Sequence, residues 1–153
     1  MTLYYLEDLL PGQRFVGNSR ILIDADRIKA FASEFDPQPF HLDEEAANSS
    51  VFQGLAASGW HTAAMVMRLL WDSEFKPAGG IVGVGLDELR WPRPLRPGDE
   101  LRVESEVLEV RPSKSNPSQG MVKLRTTTLN QYDEVVQLHV ANLVVPKRPE
   151  SPN

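Results

Sequence analysis

The stretch that decides the fold is Trp60-His61-Thr62-Ala63-Ala64-Met65-Val66-Met67-Arg68-Leu69-Leu70-Trp71. It contains one formally charged residue and is apolar on nearly every face of a helix. A helix that is apolar all round is covered on all sides in the folded protein. We therefore predict a buried helix over Trp60–Trp71.

The chain after this helix has the pattern of β-strands. Ile81 to Trp91 is predicted to be a strand, and apolar residues then alternate in three runs: Leu101 to Val107, Val122 to Thr128 and Val136 to Val140. The loops between these runs, at 112–120 and 132–134, are of the hairpin type and predict an antiparallel meander. One buried helix followed by a meander predicts an α+β fold with the sheet wrapped around the helix. The same alternation predicts that His139 faces solvent.

Before the central helix, the sequence predicts a strand over 14–23 and then a second helix. Asp24 is its predicted N-cap, and Ile28, Phe31, Ala32 and Phe35 share one helical face. Pro37 ends this helix, because the residue before a proline avoids the α conformation. The segment 36–41 is predicted to be a stiff, non-helical turn, since two prolines fix its backbone. Asp43 is a predicted cap of a short helix through Ala47.

Length and composition bound the classes of protein. The 153 residues suit one domain, predicted over 1–145, with a flexible C-terminal tail over 146–153. No run approaches the roughly 18 apolar residues of a membrane span, and the N-terminus does not resemble a secretory signal, so a cytoplasmic protein is expected. The chain has no cysteine, which excludes disulfides, thiolate zinc sites and a cysteine nucleophile. With a net charge of -5 and scattered basic residues, we expect no nucleic-acid partner.

The candidate chemistry lies on the proline-stiffened turn. Asp36 and His41 place a carboxylate and an imidazole five residues apart, where a fixed backbone can direct both at one point. This pair is the minimum needed to activate water and to return a proton. The alternative is that Asp36 only caps a turn after the helix.

A second candidate is Ser58-Gly59-Trp60, at the start of the central helix. Backbone N–H groups at a helix N-terminus are unpaired and suit a developing oxyanion, and glycine lets a ligand approach closely. The alternative is that Gly59 only permits tight packing.

Other polar residues carry weaker hypotheses. His61 is expected to be a satisfied core histidine, and a metal site built from His41, Asp43 and His61 lacks a known ligand spacing, so no metal is expected. Ser58 has no evident base partner other than His41. Four basic residues are candidate contacts for CoA phosphates, although most such charges are simply solvated: Arg93, Arg96, Arg111 and Lys114.

The motif Asp36-x-Gln38-Pro39-x-His41-x-Asp43, with Ala46, Phe52 and Ser58-Gly59 after it, resembles that of the MaoC-like dehydratases and (R)-specific enoyl-CoA hydratases. That family has D-x-N-P-x-H-x-D, then an alanine, a phenylalanine and a glycine that opens the central helix. The connection Trp91 to Asp99 is also similar, and the resemblance covers Leu6 to Val145. Two residues depart from that pattern, and both bear on the shape of the pocket and the choice of acyl chain: Gln38 stands where the family often has asparagine, and Ser58 where it often has histidine.

The resemblance implies a hot-dog fold, usually dimeric, and a hydratase or dehydratase acting on a 2-enoyl-CoA or 3-hydroxyacyl-CoA thioester. It implies that Asp36 and His41 activate water and that the Gly59 amide polarises the thioester carbonyl. Substrate contacts are expected from Gln38, Phe52, Ser58 and Trp60. No cofactor is expected, since CoA enters as part of the substrate.

Two alternatives remain. A hot-dog thioesterase usually has a carboxylate in or next to the central helix, but none lies within Trp60–Trp71 and Asp72 comes only at its end. A non-catalytic acyl-CoA-binding subunit would not need both Asp36 and His41.

Overall fold

The computed structural model describes residues 2–150. After a 3₁₀ turn at Leu6–Asp8, the helices are α1 (Ala25–Phe35), α2 (Pro39–Leu42), α3 (Glu44–Asn48) and α4 (Gly59–Trp71). The strands are β1 (Arg14–Val16), β2 (Ile21–Leu22), β3 (Val82–Arg90), β4 (Glu100–Pro112), β5 (Gln119–Leu129) and β6 (Val135–Pro146).

The strands form one antiparallel sheet in the order β1-β4-β5-β6-β3, and β2 also pairs with β4. The meander therefore comprises β4, β5 and β6, whereas β3 pairs with β6 and lies at the sheet edge. Helix α4 packs its buried residues Val66, Leu69 and Leu70 into a core shared with strand β4. The predicted α+β fold, a sheet wrapped around a central helix in the hot-dog manner, is confirmed.

Helix α4 is not buried on all sides in the single chain, so that prediction is wrong. Trp60, Met67 and Trp71 are 60%, 46% and 54% exposed. Together with exposed Ala64 they follow one another at intervals of four, three and four residues, which places them on one face of the helix. The sheet covers one side of α4, and this opposite face forms an apolar stripe.

The helix that precedes the turn at 36–41 begins and ends at the predicted residues. Asp24 accepts a hydrogen bond from the Arg27 amide at 2.8 Å, and α1 ends at Phe35, before the Asp36–Pro37 pair. The turn itself is not wholly non-helical as predicted, because α2 begins at Pro39. Proline is favoured at the first helical position, where its missing N–H has no helical partner to lose.

The predicted strand over 14–23 is divided into β1 and β2. Gly17 lies between them and donates its amide to the Val103 carbonyl at 2.9 Å. A side chain at Gly17 would meet this carbonyl oxygen at 2.9 Å, so the chain approaches β4 too closely for any residue with a Cβ.

His139 is buried, contrary to the prediction, with 7% of its surface exposed. Thr128 pairs with Gln137 but Leu129 pairs with Val135, so Val136 is an extra residue in β6. A bulge of this kind shifts the alternation by one residue. Val136 is buried before the shift, and Gln137 and His139 are buried after it.

The start of the predicted tail is held by hydrogen bonds. Pro146 ends β6, and the Lys147 amide donates to the Ser118 carbonyl at 2.8 Å. Arg148 donates its amide to Glu7 at 2.9 Å and its guanidinium to Asp8 at 2.6 Å. Residues 151–153 of the predicted tail lie outside the described residues.

Candidate active site

Asp36 and His41 meet where α1 ends and α2 begins. The Nε2 atom of His41 lies 3.3 Å from an Asp36 carboxylate oxygen. Asp36 is the C-terminal cap of α1, while His41 lies in the single turn that starts at Pro39. The His41 side chain is almost fully buried. The predicted pair is therefore brought together by a break between two helices.

The tautomer of His41 follows from its second contact. Its Nδ1 atom lies 2.6 Å from the carbonyl oxygen of Ala56. A carbonyl oxygen only accepts hydrogen bonds, so Nδ1 carries a proton. The Nε2 atom is then either a bare base or the proton-bearing side of an imidazolium, and it faces Asp36. This arrangement can take a proton at Nε2 and give it back.

The pKa of Asp36 is lowered from the ordinary aspartate value. Burial acts to raise this pKa, but hydrogen bonds from Gln38 and Ser58 and the charge of His41 outweigh it. The Gln38 amide donates to the carboxylate at 2.5 Å. Asp36 is thus kept as a carboxylate, which is the form that accepts a proton from water.

Gly59 begins α4, with Ser58 as its N-cap. The Ser58 hydroxyl accepts a hydrogen bond from the Trp60 amide at 3.3 Å. None of the hydrogen bonds found between residues 2–150 uses the Gly59 N–H. Gly59 also has a packing role, because a Cβ there would lie 2.6 Å from the Trp91 ring.

These groups share an open cleft of about 510 Å³. Six of the seven predicted site residues line it: Asp36, Gln38, His41, Phe52, Gly59 and Trp60. Ser58 is not among the lining residues; it is fully buried, and its side chain helps to lower the pKa of Asp36. The cleft is completed by Phe40, Ala57, Thr62 and the segment 91–95. The cleft therefore combines a carboxylate, an imidazole and a helix N–H that has no partner among residues 2–150.

Comparison with solved structures places the fold in a family. A MaoC-like dehydratase from Rhodospirillum rubrum is 58% identical to this chain, covers 96% of it and 99% of its own length, and superimposes with a TM-score of 0.91. The unliganded R-hydratase PhaJ1 from Pseudomonas aeruginosa is 26% identical, with coverage of 97% and 94% and a TM-score of 0.69.

Sequence comparison gives the same result. A family model described as a MaoC like domain matches residues 8–130. The chain belongs to the MaoC-like domain family. The uncharacterized protein YdeM of Bacillus subtilis is 34% identical over 128 residues, which are 84% of this chain and 89% of YdeM. A mesaconyl-CoA hydratase of Cereibacter sphaeroides is 41% identical over 68 residues, 44% of this chain but 20% of that enzyme.

The two departures from the MaoC-like motif both act on Asp36. Gln38 donates a hydrogen bond to its carboxylate, and Ser58 also helps to lower its pKa. Both residues therefore affect the electrostatics of the Asp36–His41 pair, and Gln38 also lines the cleft.

Three residues near the Asp36–His41 pair have structural roles that the sequence did not predict. Ala56 fixes His41 through a backbone carbonyl, which no side-chain pattern reveals. Arg96 was considered a CoA contact, but its guanidinium donates to the carbonyls of Phe52, Gly54 and Leu55. Trp91 packs on Gly59, whereas the sequence indicates only that it begins the connection that resembles the family's.

His61 is the remaining histidine that the sequence singles out, as a core residue and as one of three conceivable metal ligands. His61 stacks on Phe31 with ring centroids 4.5 Å apart, and its buried Nδ1 has no partner among the described residues. It is thus a core histidine but not a satisfied one, and burial, followed by the charge of Arg27, lowers its pKa. No cluster of three His, Asp or Glu side chains suited to a metal ion is found within residues 2–150. The same residues contain no helix long and apolar enough to cross a membrane.

Proposed function

We propose that this protein is a hydratase or dehydratase that interconverts a 2-enoyl-CoA and a 3-hydroxyacyl-CoA thioester. The observation that carries the proposal is the Asp36–His41 pair, which shares one cleft with the unpaired N–H of Gly59. Membership of the MaoC-like family supports a hydro-lyase. The similarity to a mesaconyl-CoA hydratase supports an unsaturated CoA thioester as the substrate class.

The proposed chemistry begins with a water bound by Asp36 and His41. The pair removes a proton from this water, and the oxygen attacks C3 of the enoyl group. The electron pair of the double bond shifts through C2 onto the thioester oxygen, where the Gly59 N–H stabilises the negative charge. Collapse of this enolate takes a proton at C2 from one member of the pair, which restores both residues. Dehydration is the same sequence in reverse.

No step of this proposal requires a redox cofactor or a metal ion. The acid-base groups are side chains of the chain itself, the oxyanion is met by a backbone amide, and CoA enters as part of the substrate. The sequence has no cysteine and so does not depend on an oxidising compartment, which supports our proposal that the protein acts in the cytoplasm.

We also propose that the protein is a homodimer. Strand β3 pairs with β6 on one side and lies at the edge of the sheet, with Val82, Val84 and Leu86 exposed. The apolar stripe of α4 adds Trp60, Met67 and Trp71. An exposed apolar edge strand and a second apolar surface favour association with another copy. Light scattering at micromolar concentration tests this, and Val84→Lys is expected to weaken the dimer; a wild-type monomer would contradict it.

The activity is tested with purified protein and a panel of 2-enoyl-CoAs of different chain length. Loss of the enoyl-thioester absorbance, with formation of the 3R alcohol and without added metal, is the expected result. Asp36→Asn is the matched control, because it keeps the shape of the side chain and removes its basic oxygen. Release of free CoA thiol would indicate a thioesterase, and binding without turnover would indicate a non-catalytic subunit; either result would reject the proposal.

A further inference from the structure

A second cavity lies beneath the sheet, apart from the cleft of the Asp36–His41 pair. Its volume is about 260 Å³, and its walls come from α4, β3, β5 and β6 together with Ile81. Nine of its ten lining residues have no side-chain nitrogen or oxygen, and the tenth is His139. A cavity with such walls suits a hydrocarbon chain.

The two cavities follow one another along α4. Thr62 lines the cleft, and Met67 and Leu70 line the second cavity. At 1.5 Å of rise per residue, these positions lie about 7 and about 12 Å further along the helix than Thr62. An acyl chain that starts at Gly59 and follows α4 therefore runs towards the second cavity.

A chain of hydrogen bonds joins the walls of the two cavities. Trp91 lines the cleft and donates its indole N–H to the Gln137 side-chain oxygen at 2.9 Å. The Gln137 amide nitrogen lies 3.3 Å from Nδ1 of His139, which lines the second cavity. An indole only donates, so the Gln137 oxygen faces Trp91 and its N–H group donates to His139.

Both ends of the Trp91 indole are fixed. The ring occupies the space that a Cβ at Gly59 would need, with ring atoms 2.6 to 2.8 Å from that position. Its N–H donates to the side-chain oxygen of Gln137, a residue that is 1% exposed. The indole thus stands directly beside the amide that is proposed to bind the thioester oxygen.

We infer that the Trp91–Gln137 pair is a partition between the cleft and the second cavity, and that it restricts the substrate to 2-enoyl-CoAs with short acyl chains. This inference rests on the proposed hydration reaction. It assigns Trp91 and Gln137 as specificity-determining residues. The second cavity contributes to binding only when the partition is removed.

The test measures kcat/KM for 2-butenoyl-CoA and 2-octenoyl-CoA. The wild type is expected to prefer the four-carbon substrate. Trp91→Ala should raise the ratio of eight-carbon to four-carbon activity by at least about tenfold, because each newly buried methylene contributes roughly a factor of four. Trp91→Phe keeps a ring against Gly59 but loses the hydrogen bond to Gln137, and it should give a smaller rise.

A plug of the second cavity provides the matched control. Gly83 lines that cavity, and a Cβ there would meet only a Leu143 methyl group, at 3.8 Å. Gly83→Val should leave the four-carbon activity of the wild type unchanged. In the Trp91→Ala background it should abolish the gain with the eight-carbon substrate.

Gln137→Leu keeps the test decisive if Trp91→Ala does not fold. It preserves the buried volume and releases the indole, so it should also raise the eight-carbon to four-carbon ratio. A wild type that hydrates both substrates equally well would overturn the inference, as would folded Trp91 and Gln137 variants with an unchanged ratio. Absence of hydration at every chain length would instead reject the proposed function.

Discussion

Replacing Arg96 by alanine should loosen the loop that positions His41, although Arg96 itself does not line the cleft. The Arg96 guanidinium donates to the carbonyl oxygens of Gly54 at 2.8 Å and Leu55 at 3.3 Å, and also to that of Phe52. These acceptors directly precede Ala56, whose carbonyl holds the Nδ1 proton of His41. Arg96→Ala therefore releases the loop that fixes the imidazole.

The size of the effect follows from the number of hydrogen bonds and their exposure. A hydrogen bond to a charged group contributes about 1.5–3 kcal/mol, but Arg96 is half-buried and water can replace part of each bond. Taking about 1 kcal/mol for each of three bonds gives a loss of about 3 kcal/mol in the free energy of unfolding. For a domain of this length, that corresponds to a fall in Tm of about 6 to 12 °C.

The assay combines thermal unfolding with turnover of 2-butenoyl-CoA well below the melting transition. The kcat of Arg96→Ala should fall although the protein is folded, because His41 samples other orientations. Arg96→Lys keeps the charge but cannot reach all three carbonyls with one ammonium group. It should therefore restore only part of the lost Tm and part of the lost kcat.

Arg20→Ala is the matched control. Its side chain is 56% exposed and forms an ion pair with Glu100 at 3.3 Å, and neither residue lines the cleft. An exposed pair contributes at most about 1 kcal/mol, so this variant should melt and turn over nearly as the wild type does. If Arg96→Ala were indistinguishable from Arg20→Ala in Tm and in kcat, the positioning role of Arg96 would be refuted.

Three further predictions concern the cleft. Asp36→Asn and His41→Gln should each lower kcat by about 10²–10⁴, and the double variant should be little worse than the worse single one, since both act in one step; losses that multiply would show separate roles. The pKa of Asp36 is lowered, so the stability that it contributes is complete above the ordinary value of 3.8 and is lost as the pH falls through the lower folded pKa. Gln38→Ala removes one cause of this lowering and should move the acidic limb of the pH–rate profile to higher pH, with Gln38→Asn as the rescue; an unmoved limb would mean that Gln38 does not act on Asp36. Gly59→Ala places a methyl group 2.6 Å from the Trp91 ring and should lower both Tm and kcat, and a variant with normal values of both would contradict the packing described.

Features of the fold that depend on neighbouring residues were predictable from the sequence. The end of α1 at Phe35 follows from Pro37, which restricts the residue before it, and the caps Asp24 and Asp43 act through amides two or three residues away. The proximity of Asp36 and His41 has the same local origin, because five residues and two prolines leave the turn few conformations.

Features that depend on distant parts of the chain were not predictable. The extra residue Val136 arises where β6 meets the end of β5, and the alternation of β6 by itself does not reveal it. The carbonyl that fixes the His41 tautomer belongs to Ala56, fifteen residues further on, and any residue type supplies a carbonyl. The division of the strand at Gly17 likewise depends on the approach of Val103.

The wrong prediction that His139 faces solvent and the partition between the cavities both arise from the bulge in β6. Apolar alternation assigns the inner face of a strand correctly only when the interior is uniformly apolar. In β6 the bulge turns Gln137 and His139 inwards, and these two polar side chains then need partners within the core. Gln137 finds one in Trp91, so the requirement to satisfy a buried amide is met by fixing the indole against the first residue of α4. A local departure from the strand pattern thereby positions the Trp91–Gln137 pair, which we propose as the end of the acyl site, and such departures are expected at functional positions.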